Sequence, residues 1–177
     1  MLPNTLISFL TKIASGYYKI FDVVDGFTAI TKQAIDLIDW DRAWTRYGYP
    51  MDFLIRLNAY GFRVKDVPRR AIYLEGERQS QIKGLPYAIK GSYMLARGFF
   101  WRLLTRYLYR DFHPLFFFYL LGLLLVPLGL GLGCCLLYQQ WAGIGVSGPR
   151  SVLCALMLLM GLQFLFFAVL YDMEESK

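Results

Sequence analysis

Leu6, Phe9, Leu10 and Ile13 fall three or four residues apart, which predicts a helix over residues 3–15 with those four side chains inward and Gly16 as its stop. Residues 17–21 and 27–30 are short, aromatic and β-branched, and predict extended segments on either side of a turn at 22–26. The Thr31 hydroxyl can accept an orphan amide hydrogen bond, so it predicts the cap of a helix that reaches Ile38. Residues 52–60 predict a further helix, with Phe53, Leu54, Leu57 and Tyr60 inward and Gly61 as its C-terminal stop. Alternation over 62–67 predicts a strand ended by Pro68, and residues 71–74 suggest another.

The character changes from residue 78 to residue 110, where seven basic residues and no acidic one are interleaved with aromatic side chains. Lys83, Lys90 and Arg97 are seven apart, and Arg102, Arg106 and Arg110 are four apart. Each trio lies along one helical face but the two faces differ, which predicts two short amphipathic helices meeting near Gly98. Beyond His113 the polar pattern nearly vanishes. Between His113 and Asp172 the only charge is Arg150, which separates apolar runs over 114–138 and 151–171. About 20 residues at roughly 1.5 Å each cross a hydrocarbon core of roughly 30 Å, so both runs predict membrane spans. Neither run holds an Asp, Glu, Lys, Arg or His, which argues against a transporter that couples ions or substrate.

Composition sharpens this division. Hydrophobic residues make up 56% of the chain, yet they are concentrated in its C-terminal part. Residues 1–112 carry 17 Lys and Arg against 10 Asp and Glu, whereas 172–177 is net acidic. The basic bias before the first run places the soluble part and both termini on the cytoplasmic side of an inner or plasma membrane, with 139–150 outside. Aromatic rings beside cations also suit nucleic acid, but continuity with a span favours membrane lipids over nucleic acid as the partner. Cys134, Cys135 and Cys154 lie in the runs and fit neither a disulfide framework nor a zinc site, which leaves them as small packing residues. Residues 1–14 are amphipathic and do not read as a signal peptide. The expected organisation is a soluble part over 1–80, interfacial helices over 81–112, spans over 113–138 and 151–171, a loop over 139–150 and a tail over 172–177.

Several constellations could carry chemistry. Asp39-Trp40-Asp41 matches the DxD spacing that holds a divalent cation against a diphosphate, but it follows an amphipathic helix in a polar turn rather than ending a buried strand. Gly129, Gly131 and Gly133 imitate a dinucleotide loop, yet they lie in an uncharged run and read as a helix-packing surface or a flexible stretch after Pro127. Asp22 and Asp25 flank the approach to Gly26, where they could hold sugar hydroxyls, orient an attacking group, or simply cap the turn. Arg69, Arg70, Arg78 and Lys83 border the basic segment and could bind a lipid-borne phosphate through charge-assisted hydrogen bonds. His113, the only histidine, stands at the start of the first run and reads as a structural residue of the interface.

Four blocks then occur in a telling order: Leu10-Thr-Lys-Ile-Ala-Ser-Gly-Tyr17, Phe21-Asp-Val-Val-Asp-Gly-Phe-Thr-Ala-Ile30, Arg46-Tyr-Gly-Tyr-Pro-Met-Asp52 and Gly61-Phe-Arg-Val-Lys-Asp-Val-Pro68. Together they resemble the C-terminal half of a family 2 glycosyltransferase, and more narrowly the membrane-anchored polyprenyl-phosphate sugar transferases of the dolichol-phosphate mannosyltransferase type. Arg97-Gly-Phe-Phe-Trp-Arg-Leu103 and Arg110-Asp-Phe-His-Pro114 resemble the interface and the start of the first span in bacterial members. The likeness covers roughly residues 6–130.

That resemblance implies an α/β fold: a partial GT-A (Rossmann-like) half-domain, joined to interfacial amphipathic helices and a two-helix transmembrane hairpin. It implies transfer of a sugar from a nucleotide-sugar to polyprenyl phosphate, with Mg or Mn expected for the complete enzyme and no metal ligand in this chain. By position, Asp22 and Asp52 match acidic residues of the family and join Asp25, read from its turn, as the candidate catalytic carboxylates; Arg78 and Ser80 match its membrane-proximal segment, so that Ser80 joins Arg69, Arg70, Arg78 and Lys83 around the acceptor phosphate. The nucleotide-binding strands and their DxD have no counterpart here, so the chain alone is expected to be inactive unless a separate N-terminal half supplies the donor. Relatives also suggest a homo-oligomer. The alternative is a non-catalytic remnant or a two-span membrane scaffold.

Overall fold

A computed structural model describes residues 2–23, 27–45, 48–68, 84–110 and 112–175. These form six α-helices: α1 (Leu2–Ser15), α2 (Lys32–Leu37), α3 (Tyr49–Ala59), α4 (Gly84–Leu104), α5 (Leu115–Trp141) and α6 (Gly148–Glu175). A π-helical turn, Thr105–Arg110, continues α4. The chain divides into two compact units, the first running to residue 111 and the second covering Phe112–Glu175.

The expected α/β, Rossmann-like half-domain is overturned, because no strand occurs among the described residues. Over 62–65 burial alternates as the expected strand at 62–67 required, but a strand needs a backbone partner to close its ladder. Side chains do the tying instead. The Tyr17 hydroxyl donates to the Phe62 carbonyl, and the Phe21 N–H donates to the Asp66 carboxylate at 2.5 Å. The predicted strand at 71–74 lies outside the described residues.

Within the first unit α3 is the central element, and nearly all of it is buried. Pro50 near its start is preorganised for a helix, and Asp52 in its first turn complements the dipole. At its other end the Gly61 N–H donates to the Asn58 carbonyl and the Phe62 N–H to the Leu57 carbonyl, each at 2.9 Å. With Gly61 at φ +79° this is a Schellman stop, as the glycine predicted. One side of α3 gives Phe53, Leu54 and Leu57 to a core with Tyr17, Ile20, Val23, Ala34 and Ile38. Another gives Met51 and Ile55 to a core with Ala14, Met94 and Leu95. Thr31 caps α2 as expected, its hydroxyl accepting from the Ala34 N–H at 3.4 Å.

Two helical expectations change. Helix α1 is present, but its buried face carries Thr11, Ala14 and Ser15, while Leu6 and Phe9 are about 60% and 59% exposed. The Thr11 hydroxyl donates to the Ile7 carbonyl at 2.7 Å, so it is satisfied within the helix and packs like a small apolar group. The two short helices expected to meet near Gly98 are instead one continuous α4. Gly98 makes room for a neighbour rather than a break: a Cβ there would come within 2.7 Å of Ile55 Cδ1.

The second unit is a hairpin of α5 and α6, both long and apolar enough to cross a membrane. Pro127 does not interrupt α5. Leu115, Gly122 and Gly129 on α5 are buried at seven-residue intervals, as are Cys154, Gly161 and Ala168 on α6. A sustained period of seven keeps one seam facing a partner helix, and small residues let the backbones approach. A Cβ on Gly161 would lie 3.0 Å from the Val126 backbone nitrogen, and one on Gly129 would lie 2.9 Å from Leu158 side-chain atoms. Cys154 donates its thiol to the Gly129 carbonyl at 3.3 Å. Of the glycine series read as a packing surface, Gly129 is in the seam, Gly133 touches Cys154, and Gly131 faces open space.

Candidate functional site

Asp22 lies on the rim of a groove of about 1020 Å³. Val23, Phe53, Leu54 and Leu57 provide apolar lining, and Arg63, Lys65 and Asp66 add charge at the groove. Asp22 is exposed. Asp25, Arg69, Arg70, Arg78, Ser80 and Lys83 lie outside the described residues. The structure therefore places two of the expected site residues, Asp22 and Asp52, and it does not bring them together.

Asp52 is a buried latch. Its Oδ2 accepts from Arg56 Nε at 2.7 Å and from the Trp44 N–H at 2.9 Å. Arg56 in turn donates to the Asp39 carbonyl at 3.0 Å and to the Arg42 carbonyl, and its guanidinium lies 5.3 Å from the Trp101 ring centre. One ion pair thus fastens the 39–44 loop onto α3 and connects it to α4. Asp39 closes its own turn, accepting from the Asp41 N–H at 3.2 Å, and pairs with Arg42 at 3.5 Å. No group of three or more metal-capable side chains gathers among the described residues.

A second polar node surrounds Asn58, which the sequence did not single out. Arg102 is fully buried, donating to Asn58 Oδ1 at 3.2 Å and to the Ile13 carbonyl at 3.3 Å. Arg106 donates to the same Oδ1 at 2.6 Å and to the Asn58 carbonyl at 3.2 Å. Gly16, at φ +75°, leaves the space that the Arg102 guanidinium fills. Burial pushes the Tyr17 phenol well above the ordinary tyrosine range, although the nearby Arg106 and Arg102 pull it partly back. The trio read as one headgroup-facing row is therefore divided: Arg102 is internal, Arg106 is half-buried, and only Arg110 is exposed. On the outer side of α4, Lys90, Tyr93, Arg97 and Phe100 remain exposed.

No protein family, no curated protein and no solved structure matches this chain.

In the hairpin, Asp172 was expected in a tail beyond the second run. Helix α6 continues to Glu175, and Asp172 is fully buried, accepting from the Tyr119 hydroxyl at 3.3 Å. His113 caps α5 by accepting the Leu115 N–H at Nδ1, 3.2 Å away, and its Nε2 lies 4.0 Å from Glu175. Phe118 packs against Phe164, Phe167 and Tyr171 near the same end. A signal for Asp172 was available, since it stands four residues after Ala168 and so continues the face of the small-residue seam.

Proposed function

We propose that this chain is the membrane-anchored acceptor part of a transferase that moves a sugar from a nucleotide-sugar to polyprenyl phosphate. The observation that carries this reading is the ordered series of blocks from Leu10 to Pro114, followed by a hairpin long and apolar enough to hold the chain in a bilayer. In the reaction a phosphate oxygen of the acceptor attacks the anomeric carbon while the bond from that carbon to the nucleotide diphosphate breaks. A phosphate monoester has a second pKa of about 6, so the acceptor is already a competent nucleophile near neutral pH. Asp22 then acts by orienting sugar or acceptor at the groove rim, where position counts for more than basicity. In this reading the nucleotide-sugar and its metal would be held by a separate partner chain. Both termini are cytoplasmic, and a reporter fused after Gln140 reports from the opposite side.

Deleting the chain from its source cells is expected to lower one lipid-linked phosphosugar, seen by mass spectrometry of extracted lipids. The native chain restores it and Asp22→Asn does not. Restoration by Asp22→Asn, or an unchanged lipid profile after deletion, removes the transferase reading. A scaffold without catalysis is the second reading. It is favoured by Asp52, whose carboxylate is committed to Arg56 and Trp44.

A further inference from the structure

Gln163 is the only Asn or Gln in the two apolar runs, 114–138 and 151–171. It stands in the middle of α6 and is exposed, nearly opposite Cys154, Gly161 and Ala168, which face α5. Among the described residues its carboxamide has no hydrogen-bond partner. Tyr171, the nearer end of its run, is eight residues on, roughly 12 Å along the helix. That is farther than a glutamine side chain extends. In a bilayer the amide therefore meets hydrocarbon, where a polar group without a partner is costly.

The residues around it say what covers it. Val152, Leu156, Leu159, Gln163, Phe166 and Leu170 recur alternately four and three residues apart, and all are exposed. This is the a and d spacing of a coiled coil, with Gln163 at an a position, where a single polar residue fixes register and oligomer state. The apolar members of the row suit lipid tails as well as protein, and alone they require no partner. The amide does. A carboxamide both donates and accepts, so two Gln163 side chains facing each other across a two-fold axis satisfy one another, and one row supplies both halves of the contact. Folding the side chain back onto the Leu159 carbonyl is the simpler alternative, but it would leave the amide oxygen without a donor.

We propose that the outward row of α6 is a dimer interface within the membrane, on which Gln163 pairs with the same residue of a second copy of this chain. The inference rests on the membrane anchoring in the reading above and not on sugar transfer, so the lipid-profile test can fail without touching it.

The test reconstitutes the full chain, carrying a donor or an acceptor dye at its N-terminus, into phosphatidylcholine vesicles over a range of protein-to-lipid ratios. Energy transfer reports association. The native chain is expected to exceed the transfer due to random proximity, with a linear dependence on acceptor fraction, as a dimer requires. Gln163→Leu, which puts an apolar side chain at an exposed apolar position, is expected to leave the helical circular dichroism unchanged and to weaken association about tenfold, the scale found for hydrogen bonds between model membrane helices. Gln163→Asn, which keeps the amide on a shorter stem, falls between native and Gln163→Leu. Leu124→Ala, at an exposed position of α5, changes association by less than about twofold. Equal association of the native chain and Gln163→Leu, an equal loss from Leu124→Ala, a curved dependence on acceptor fraction, or native transfer no greater than random would each overturn the paired interface.

Discussion

The two units keep their helices together by opposite means. In the first, long cations reach across to backbone carbonyls and side-chain oxygens: Arg56 to the 39–44 loop, Arg102 to α1, and Arg106 to the end of α3. In the second, side chains are made small so that backbones touch along Gly122, Gly129, Cys154 and Gly161. The first arrangement fails when a group is removed and the second when one is added. A small unit with no strand among its described residues buries limited apolar surface, and buried polar groups then carry much of its specificity. In an apolar solvent hydrophobic burial gives helices little reason to associate, and close packing takes its place.

The contrast is broken most severely at Arg56. Arg56→Met should cost about 3–5 kcal/mol, because it leaves the Asp52 carboxylate buried without its cation. Denaturant unfolding of the full chain in detergent, followed by circular dichroism, measures this loss. Adding Asp52→Leu should recover much of it, and a double mutant no better than Arg56→Met would refute the latch.

In the hairpin, Gly161→Leu should cost about 1–3 kcal/mol by overpacking against Val126, while the same change at Gly131 should stay within about 0.5 kcal/mol. Unfolding by a denaturing detergent compares the two, and equal effects would dissolve the seam. Asp172→Ala is expected to cost less, about 0.6 kcal/mol and at most about 1.7, the average and maximum measured for hydrogen bonds between membrane helices. A thermal scan alongside Tyr119→Phe should show that the two losses do not add.

The last effect is silent at neutral pH. Because the folded state raises the Tyr17 pKa, the unfolded chain ionises first. Its contribution is therefore complete below the ordinary value of about 10 and is lost as the pH rises above it. Tyr17→Phe should flatten that alkaline decline in stability, and an unaltered slope would assign it to other groups.

Local chemistry made several elements legible. Thr31 and Gly61 announce the start of α2 and the stop of α3, because capping depends on a single residue and its immediate neighbours. The face of α1 was not legible, because Thr11 and Ser15 find partners within their own turn or just beyond it and so escape the cost that keeps hydroxyls outside. The strand expected at 62–67 misled for another reason: alternation specifies which side chains share a face, while pairing depends on a distant segment. At the candidate site, the arginines around Asn58 were not legible. Their four-residue spacing fits an outer row and an inner one equally well, and only the position of Asn58 in space decides between them.

The length of the hairpin helices has a consequence for where the chain can reside. At about 1.5 Å per residue, the 27 and 28 residues of α5 and α6 extend roughly 40 Å, some 10 Å beyond a typical hydrocarbon core. Asp172 lies one turn from the end of α6. Thickening the bilayer would draw that carboxylate toward lipid tails, and thinning it would tilt the pair. In a hairpin that spans a bilayer, the buried Tyr119–Asp172 contact would therefore disfavour the thicker membrane.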